Sequence, residues 1–163
     1  MRSSIKATLL SAAVLLATVV PLRATAIGSG EANVGGTATA TASSLTFMNL
    51  DQPGPNNGSL AGITAYTNAT LTGAPGPVNI VDFATFTTTA SGLVHFNLTN
   101  LDAGNFSAAS PFTVIQQGPN VAVTLSGEGI FYTGTSASGS TPGFVIYTSQ
   151  VTNTTVAAVI QQA

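Results

Sequence analysis

The sequence predicts a single all-β domain, an antiparallel β-sandwich or jelly-roll-like fold of about eight strands. Three observations carry that expectation. Short runs alternate apolar and polar residues, the period of a strand with one buried face. Clusters of Gly, Pro, Asn and Ser separate the runs. Residues that favour exposed helical faces are almost missing: 163 residues hold three Lys+Arg and five Asp+Glu. Thr, Ser and Asn take their place, and each is a weak helix former.

The first segment, residues 1–26, has the three parts of a cleavable secretion signal. Arg2 and Lys6 are its basic start, Ala7 to Val20 its apolar run, and Ala24-Thr25-Ala26 its small-x-small cleavage pattern after Pro21. The run falls short of the roughly 20 residues a spanning helix needs. The chain is therefore expected outside the cytoplasm, extracellular or periplasmic, with no membrane attachment after cleavage. Residues 27–36 are Gly-rich and read as a loose lead-in, and residues 37–163 as the domain.

From Thr37, Thr and Ala alternate strictly, followed by Leu45, Phe47 and Leu50, so one small-residue strand is expected up to the turn cluster Asp51-Gln-Pro-Gly-Pro-Asn-Asn-Gly58. A weaker strand runs from about Ile63 to Leu71. After the breaker Gly73-Ala-Pro-Gly-Pro77, Val78 to Thr89 is apolar on both faces at Ile80, Val81, Phe83 and Phe86, as in a central strand. Ala90-Ser91-Gly92 turns it into Leu93 to Leu98, with Val94, Phe96 and Leu98 inward and His95 and Asn97 outward. Asn100 to Ser110 is loop. Phe112 to Gln116 is a short strand, and Val121 to Tyr132 another, interrupted by Gly127-Glu128-Gly129, where a bulge or a bend between sheets is expected. Thr133 to Pro142 is loop, and Gly143 to Gln150 and Thr154 to Gln161 are expected as a final strand pair.

All three basic residues, Arg2, Lys6 and Arg23, lie inside the signal, while Glu31, Asp51, Asp82, Asp102 and Glu128 follow it. The mature chain therefore carries a formal charge of −5 from side chains, five acids against no Lys or Arg. It can neutralise no phosphates, which excludes ordinary nucleic-acid binding and adhesion to anionic membranes. With no cysteine, stability rests on apolar burial and backbone hydrogen bonds.

Candidate chemistry is sparse. A glycosidase needs two carboxylates about 5–10 Å apart. Glu128, between glycines, is the most approachable acid, but Asp51 and Asp102 sit in turn contexts and Asp82 lies mid-strand. His95 is the single histidine and reads as an exposed strand residue, with no full Gly-x-Ser-x-Gly elbow at Ser126 or Ser138. Asn49/Asp51 and Asn100/Asp102 offer oxygen ligands for calcium without an ordered loop. Tyr66, Tyr132 and Tyr147 could stack on sugars or lie in the core with a wet hydroxyl. Asn57, Asn68, Asn97, Asn105 and Asn153 begin Asn-x-Ser/Thr triplets that composition alone explains. No residue is assigned a catalytic, cofactor-binding or metal-ligating role, and no cofactor is expected.

The run Val123-Thr-Leu-Ser-Gly-Glu-Gly-Ile130, then Thr141-Pro-Gly-Phe144 and an aromatic strand ending Ser149-Gln150, resembles the small secreted bacterial proteins found with exosortase, the PEP-CTERM group. The resemblance covers roughly Val78 to Gln150. That group ends in a Pro-Glu-Pro sorting signal, an apolar helix and a basic tail, whereas this chain ends Val159-Ile-Gln-Gln-Ala163. The resemblance implies an exported surface or matrix protein with no assigned activity. The expected function is a non-enzymatic surface or extracellular-matrix structural protein whose partners are extracellular polysaccharide or further copies of itself. A carbohydrate-binding module, calcium-assisted, is the alternative, and a secreted hydrolase ranks third. Self-association is expected to strengthen near pH 4, where carboxylates in general lose charge.

Overall fold

A computed structural model describes residues 27–33, 35–40, 44–51, 55–135 and 137–162; the predicted secretion signal lies outside them. The described residues are mostly β with one short helix. The strands are β1 (Gly30–Glu31), β2 (Gly35–Ala40), β3 (Ser44–Asp51), β4 (Asn57–Gly58), β5 (Ile63–Asn68), β6 (Leu71–Thr72), β7 (Gly76–Thr88), β8 (Gly92–Leu101), β9 (Phe112–Gln117), β10 (Asn120–Thr133) and β11 (Thr141–Val151); the helix α1 spans Val156–Gln162.

The main sheet runs β11-β10-β8-β7-β5, with β9 also paired to β10. Every pairing in it is antiparallel, and the sheet curls into a half-barrel. Two small sheets accompany it, β2-β3-β6 and β1-β4. The inward-pointing side chains of the half-barrel form the core: Phe83, Phe96, Leu98 and Leu125 are at most 1% exposed. Phe96 packs against Phe131 with ring centroids 4.4 Å apart and meets Phe83 edge-on at 6.4 Å. Each such side chain contributes about 1.5–3 kcal/mol by leaving water. Leu45 from β3 and Leu71 from β6 join the same cluster.

Three local expectations are corrected. The stretch from Thr37 to Leu50 is two strands, with Ala40 opposite Leu45 and Thr37 opposite Met48; strict alternation cannot reveal a reversal when both arms carry it. The Gly127-Glu128-Gly129 interruption is no bulge against β11, because the register is constant from Val121 opposite Val151 to Phe131 opposite Thr141. On its other edge β10 exchanges partners there, leaving β9 after Leu125 opposite Phe112 and reaching β8 with Tyr132 opposite His95. Glycine is needed for closeness: a Cβ on Gly127 would lie 2.6 Å from the Asn100 carbonyl oxygen, and one on Gly129 would overlap the Asn97 carbonyl and stand 2.5 Å from the Phe96 ring.

The expected last strand is α1. Thr155 caps it, its Oγ1 accepting the Ala158 N–H at 3.3 Å. Gln116 of β9 clamps the helix start: its Nε2 donates to the carbonyls of Gly118, Asn120 and Thr154, and its Oε1 accepts the Val156 N–H. The pair Ala157-Ala158 favours helix, and these side-chain contacts override the β-branched Val156 and Val159.

The half-barrel is tied across its opening. Tyr66 on β5 and Tyr147 on β11, from the two ends of the sheet, bring their hydroxyls within 2.9 Å.

Candidate functional site

Alternation along β8, β10 and β11 sorts their side chains onto two faces. Val94, Phe96 and Leu98 point into the core with Leu125 and Phe131, so His95, Asn97 and Thr99 share the outer face with Glu128, Ile130 and Tyr132 of β10 and Phe144 and Ile146 of β11. This outer face collects the chemistry-bearing residues.

One end of the face is built by a register slip. Between Ile80 opposite Leu98 and Ala84 opposite Phe96, β7 spends three residues where β8 spends one, Asn97. Such bulges re-aim side chains. Here Asp82 adopts φ 51°, a left-handed conformation that Asp tolerates better than most residues. The Asn97 Oδ1 accepts the Asp82 N–H at 2.9 Å and holds that turn. The Asp82 carboxylate then lies 2.7 Å from His95 Nδ1, and the imidazole stacks on Tyr132 at 5.0 Å and 11°. The Tyr132 hydroxyl donates to the same Asn97 oxygen at 3.4 Å. His95 is consequently 16% exposed rather than open to solvent.

An imidazole with Nδ1 on a carboxylate has a fixed ring orientation. Nucleophilic catalysis also needs a hydroxyl or thiol on the other nitrogen, and among the described residues no hydroxyl is hydrogen-bonded to His95 Nε2. The cluster pins the β7 bulge onto β8 and β10.

The remaining acids are dispersed. Asp102 accepts from Ser126 Oγ at 2.6 Å, and its N–H donates to the Ser126 carbonyl, which fixes the end of β8 to β10. Glu31 accepts from Asn33 and Asn57 across the β1–β4 pair. Among the described residues no group of three His, Asp or Glu converges as a metal site. The Asn49 and Asp51 side chains lie outside the described part. Asn97 is buried among protein partners, and both amide atoms of Asn105 bond the Val114 backbone.

The three tyrosines are interior or partly so. Tyr132 is buried beneath His95. Tyr147 packs edge-on to Phe83 and receives a 2.7 Å bond from Asn68 Nδ2, while Tyr66 stacks on Phe86 at 5.0 Å. Burial lifts both seam tyrosines above the usual tyrosine range; in Tyr66 the neighbouring Tyr147 charge adds to the rise, and in Tyr147 the hydrogen bonds with Tyr66 and Asn68 oppose it. They hold the half-barrel closed as neutral phenols.

The other end of the outer face is open. Glu128 and Phe144 are directly opposite each other on β10 and β11. With Thr99, Pro142, Gly129 and Gly143 they line a hollow of about 350 Å³. Phe144 is 72% exposed and Ile146 60%. A ring face, a carboxylate acceptor and a hydroxyl in one hollow suit a neutral ligand with apolar C–H surfaces and hydroxyl donors. The reading of sequence alone passed over Phe144 in favour of the tyrosines. No local pattern marks this pairing, because it depends on the register of the β10–β11 hairpin.

Comparison of the chain with family models, curated proteins and solved structures gives no match.

Proposed function

We propose that the chain is an exported, non-enzymatic structural protein of a cell surface or extracellular matrix, meeting its surroundings through hydroxyls, amides and a few apolar side chains. The observation that carries this reading is the outer face of the main sheet. Its Asp82 is bound to His95, Asp102 is bound to Ser126, and the positions beside them are filled by pairs such as Thr124–Thr148, with hydroxyls 3.2 Å apart, and by Phe144 and Ile146. The signal-like first 26 residues and the resemblance to exosortase-associated proteins support export. The test is expression of the whole chain in a secreting bacterium. A mature N-terminus near Ile27, with protein in the surface or extracellular fraction, is the expected outcome. Retention of the uncleaved chain in the cytoplasm would sink the reading.

The Glu128–Phe144 hollow favours a second reading, a carbohydrate-binding module for neutral polysaccharide. Its test is co-sedimentation with insoluble glycans, which Phe144→Ala should reduce by about tenfold in affinity, the 1–2 kcal/mol scale of an exposed aromatic platform.

The finer architecture is proposed with these functions: β2-β3-β6 closes the half-barrel as the second layer of a sandwich. Leu45 and Leu71 support it by sharing the core with Phe83 and Phe96. Amide exchange at Leu71 as slow as at Phe96 is the expected outcome, and fast exchange there would argue for a separate flap.

A further inference from the structure

We propose that β11 pairs antiparallel with β11 of a second copy, joining two half-barrels into one continuous sheet. This deepens the structural-protein reading above and rests on it, naming the chain itself as partner. β11 is the terminal strand of the main sheet, and among the described residues no strand pairs with its second edge. An unpaired edge presents a row of backbone donors and acceptors that only another extended strand can satisfy along its length. Proteins commonly block such edges with lysine or another inward or flanking charge. The eleven residues of β11, Thr-Pro-Gly-Phe-Val-Ile-Tyr-Thr-Ser-Gln-Val, contain no charged side chain, and the one proline, which also blunts an edge, is the second residue and leaves Gly143 to Val151 free of it.

The choice of a second copy follows from the symmetry of the strand. Its midpoint is Ile146, so a two-fold axis there overlaps all eleven residues from Thr141 to Val151. Antiparallel pairing about one residue keeps the faces matched. Ile146 then lies opposite Ile146 of the second copy, and Phe144 opposite Thr148. The two most exposed large apolar side chains of the edge, Phe144 at 72% and Ile146 at 60%, gather with their copies into one apolar strip across the junction. The net charge of the mature chain opposes contact between copies elsewhere, but the nearest acid on this face is Glu128, one strand back on β10 opposite Phe144.

The chain has no cysteine, so a single introduced thiol reports pairing without background. Ile146→Cys should form a disulfide-linked dimer under mild oxidation at least about tenfold faster than Val81→Cys, an equally exposed position on β7, because directly opposed strand residues fall within disulfide reach. Sedimentation of the unmodified mature chain should show a concentration-dependent dimer, and the double variant Phe144→Lys/Ile146→Lys should raise its dissociation constant by about tenfold or more. Circular dichroism and melting of the double variant check its fold; if it does not fold, the cysteine pair still decides. Equal oxidation of the two cysteine variants, or a monomer up to about 1 mM, would overturn the proposal. A monomer found in the extracellular fraction would leave the structural-protein reading standing while removing this one.

Discussion

The two long hairpins of the main sheet are built on opposite terms. β10 and β11 keep one register for eleven consecutive pairs, Val121–Val151 to Phe131–Thr141. β7 and β8 slip twice, between Pro77 and Ile80 and again between Ile80 and Ala84. The regular ladder needs glycine where neighbouring strands press close, and it leaves its outer side chains in plain alternation, Phe144 and Ile146 exposed. The slipped ladder turns its backbone over at Asp82 and ties the result down with Asn97, His95 and Tyr132. Regularity yields an open edge and a smooth face, whereas irregularity yields a small network of polar bonds. Interaction surface belongs to the first hairpin and internal fastening to the second.

The sharpest way to break the regular ladder is Gly129→Val. Its side chain would occupy the space of the Asn97 carbonyl and the Phe96 ring, and neither can yield without moving β8. A loss of about 3 kcal/mol or more is expected from overpacking and backbone displacement, read from the denaturant midpoint. Gly118→Ala sharpens the contrast, since nothing lies within 4 Å of its Cβ and only its φ of 61° opposes the change. That substitution should cost about 1–2 kcal/mol.

The slipped ladder is tested at its centre. Asn97→Leu removes the acceptor of both the Asp82 N–H and the Tyr132 hydroxyl, and should cost about 2–3 kcal/mol through those buried donors. Asp82→Asn keeps a residue tolerant of the left-handed turn and changes only the carboxylate that faces His95 Nδ1. Because Asp82 is 46% exposed, the loss should stay below about 1 kcal/mol. A larger loss for Asp82→Asn than for Asn97→Leu would mean that the Asp82–His95 contact, rather than the Asn97 amide, holds the bulge.

The seam between the sheet ends gives a pH signature. Tyr66 and Tyr147 have folded pKa values raised above the unfolded tyrosine value of about 10. Their neutral forms therefore stabilise the fold fully below that value, and the contribution is lost as pH climbs from about 10 toward the folded values. Absorbance titration should show tyrosinate appearing together with unfolding, and Tyr147→Phe, which deprives Tyr66 and Asn68 of a bonded hydroxyl, should cost about 1–2 kcal/mol at neutral pH. A similarly small effect is expected at the helix: Thr155→Ala should cost about 0.5–1 kcal/mol and fray α1 without changing the β-sheet signal in circular dichroism.

The strands from β7 to β11 were legible because their short runs, apolar on both faces in β7 and alternating in β8 and β10, are closed by turn residues, as in Ala90-Ser91-Gly92 and Gly118-Pro119-Asn120. The inward placement of Val94, Phe96 and Leu98 and the outward placement of His95 and Asn97 followed from parity alone. The His95–Asp82 contact did not. A regular hairpin that pairs Thr88 with Gly92 sets Thr85 against His95, and continuing it would turn Asp82 inward opposite Leu98. Three residues of β7 facing one of β8, with Asp82 in the left-handed conformation, turn its carboxylate to the other side locally, and no local pattern announces such a bulge. α1 was hidden for a related reason: Val156 and Val159 read as strand, and the clamp that favours helix comes from Gln116, about 40 residues earlier.

By itself, the amino-acid sequence determined a mostly β chain without cationic side chains after Arg23, because composition and short-range periodicity act on each residue independently of its distant neighbours. Only the tertiary structure decided that the sheet curls until Tyr66 and Tyr147 touch, that β10 changes partners at its glycines, and that Phe144 rather than a tyrosine stands in the open beside Glu128. Those outcomes depend on register and strand order, which are set by contacts between segments far apart in the chain and therefore leave no trace in any one of them.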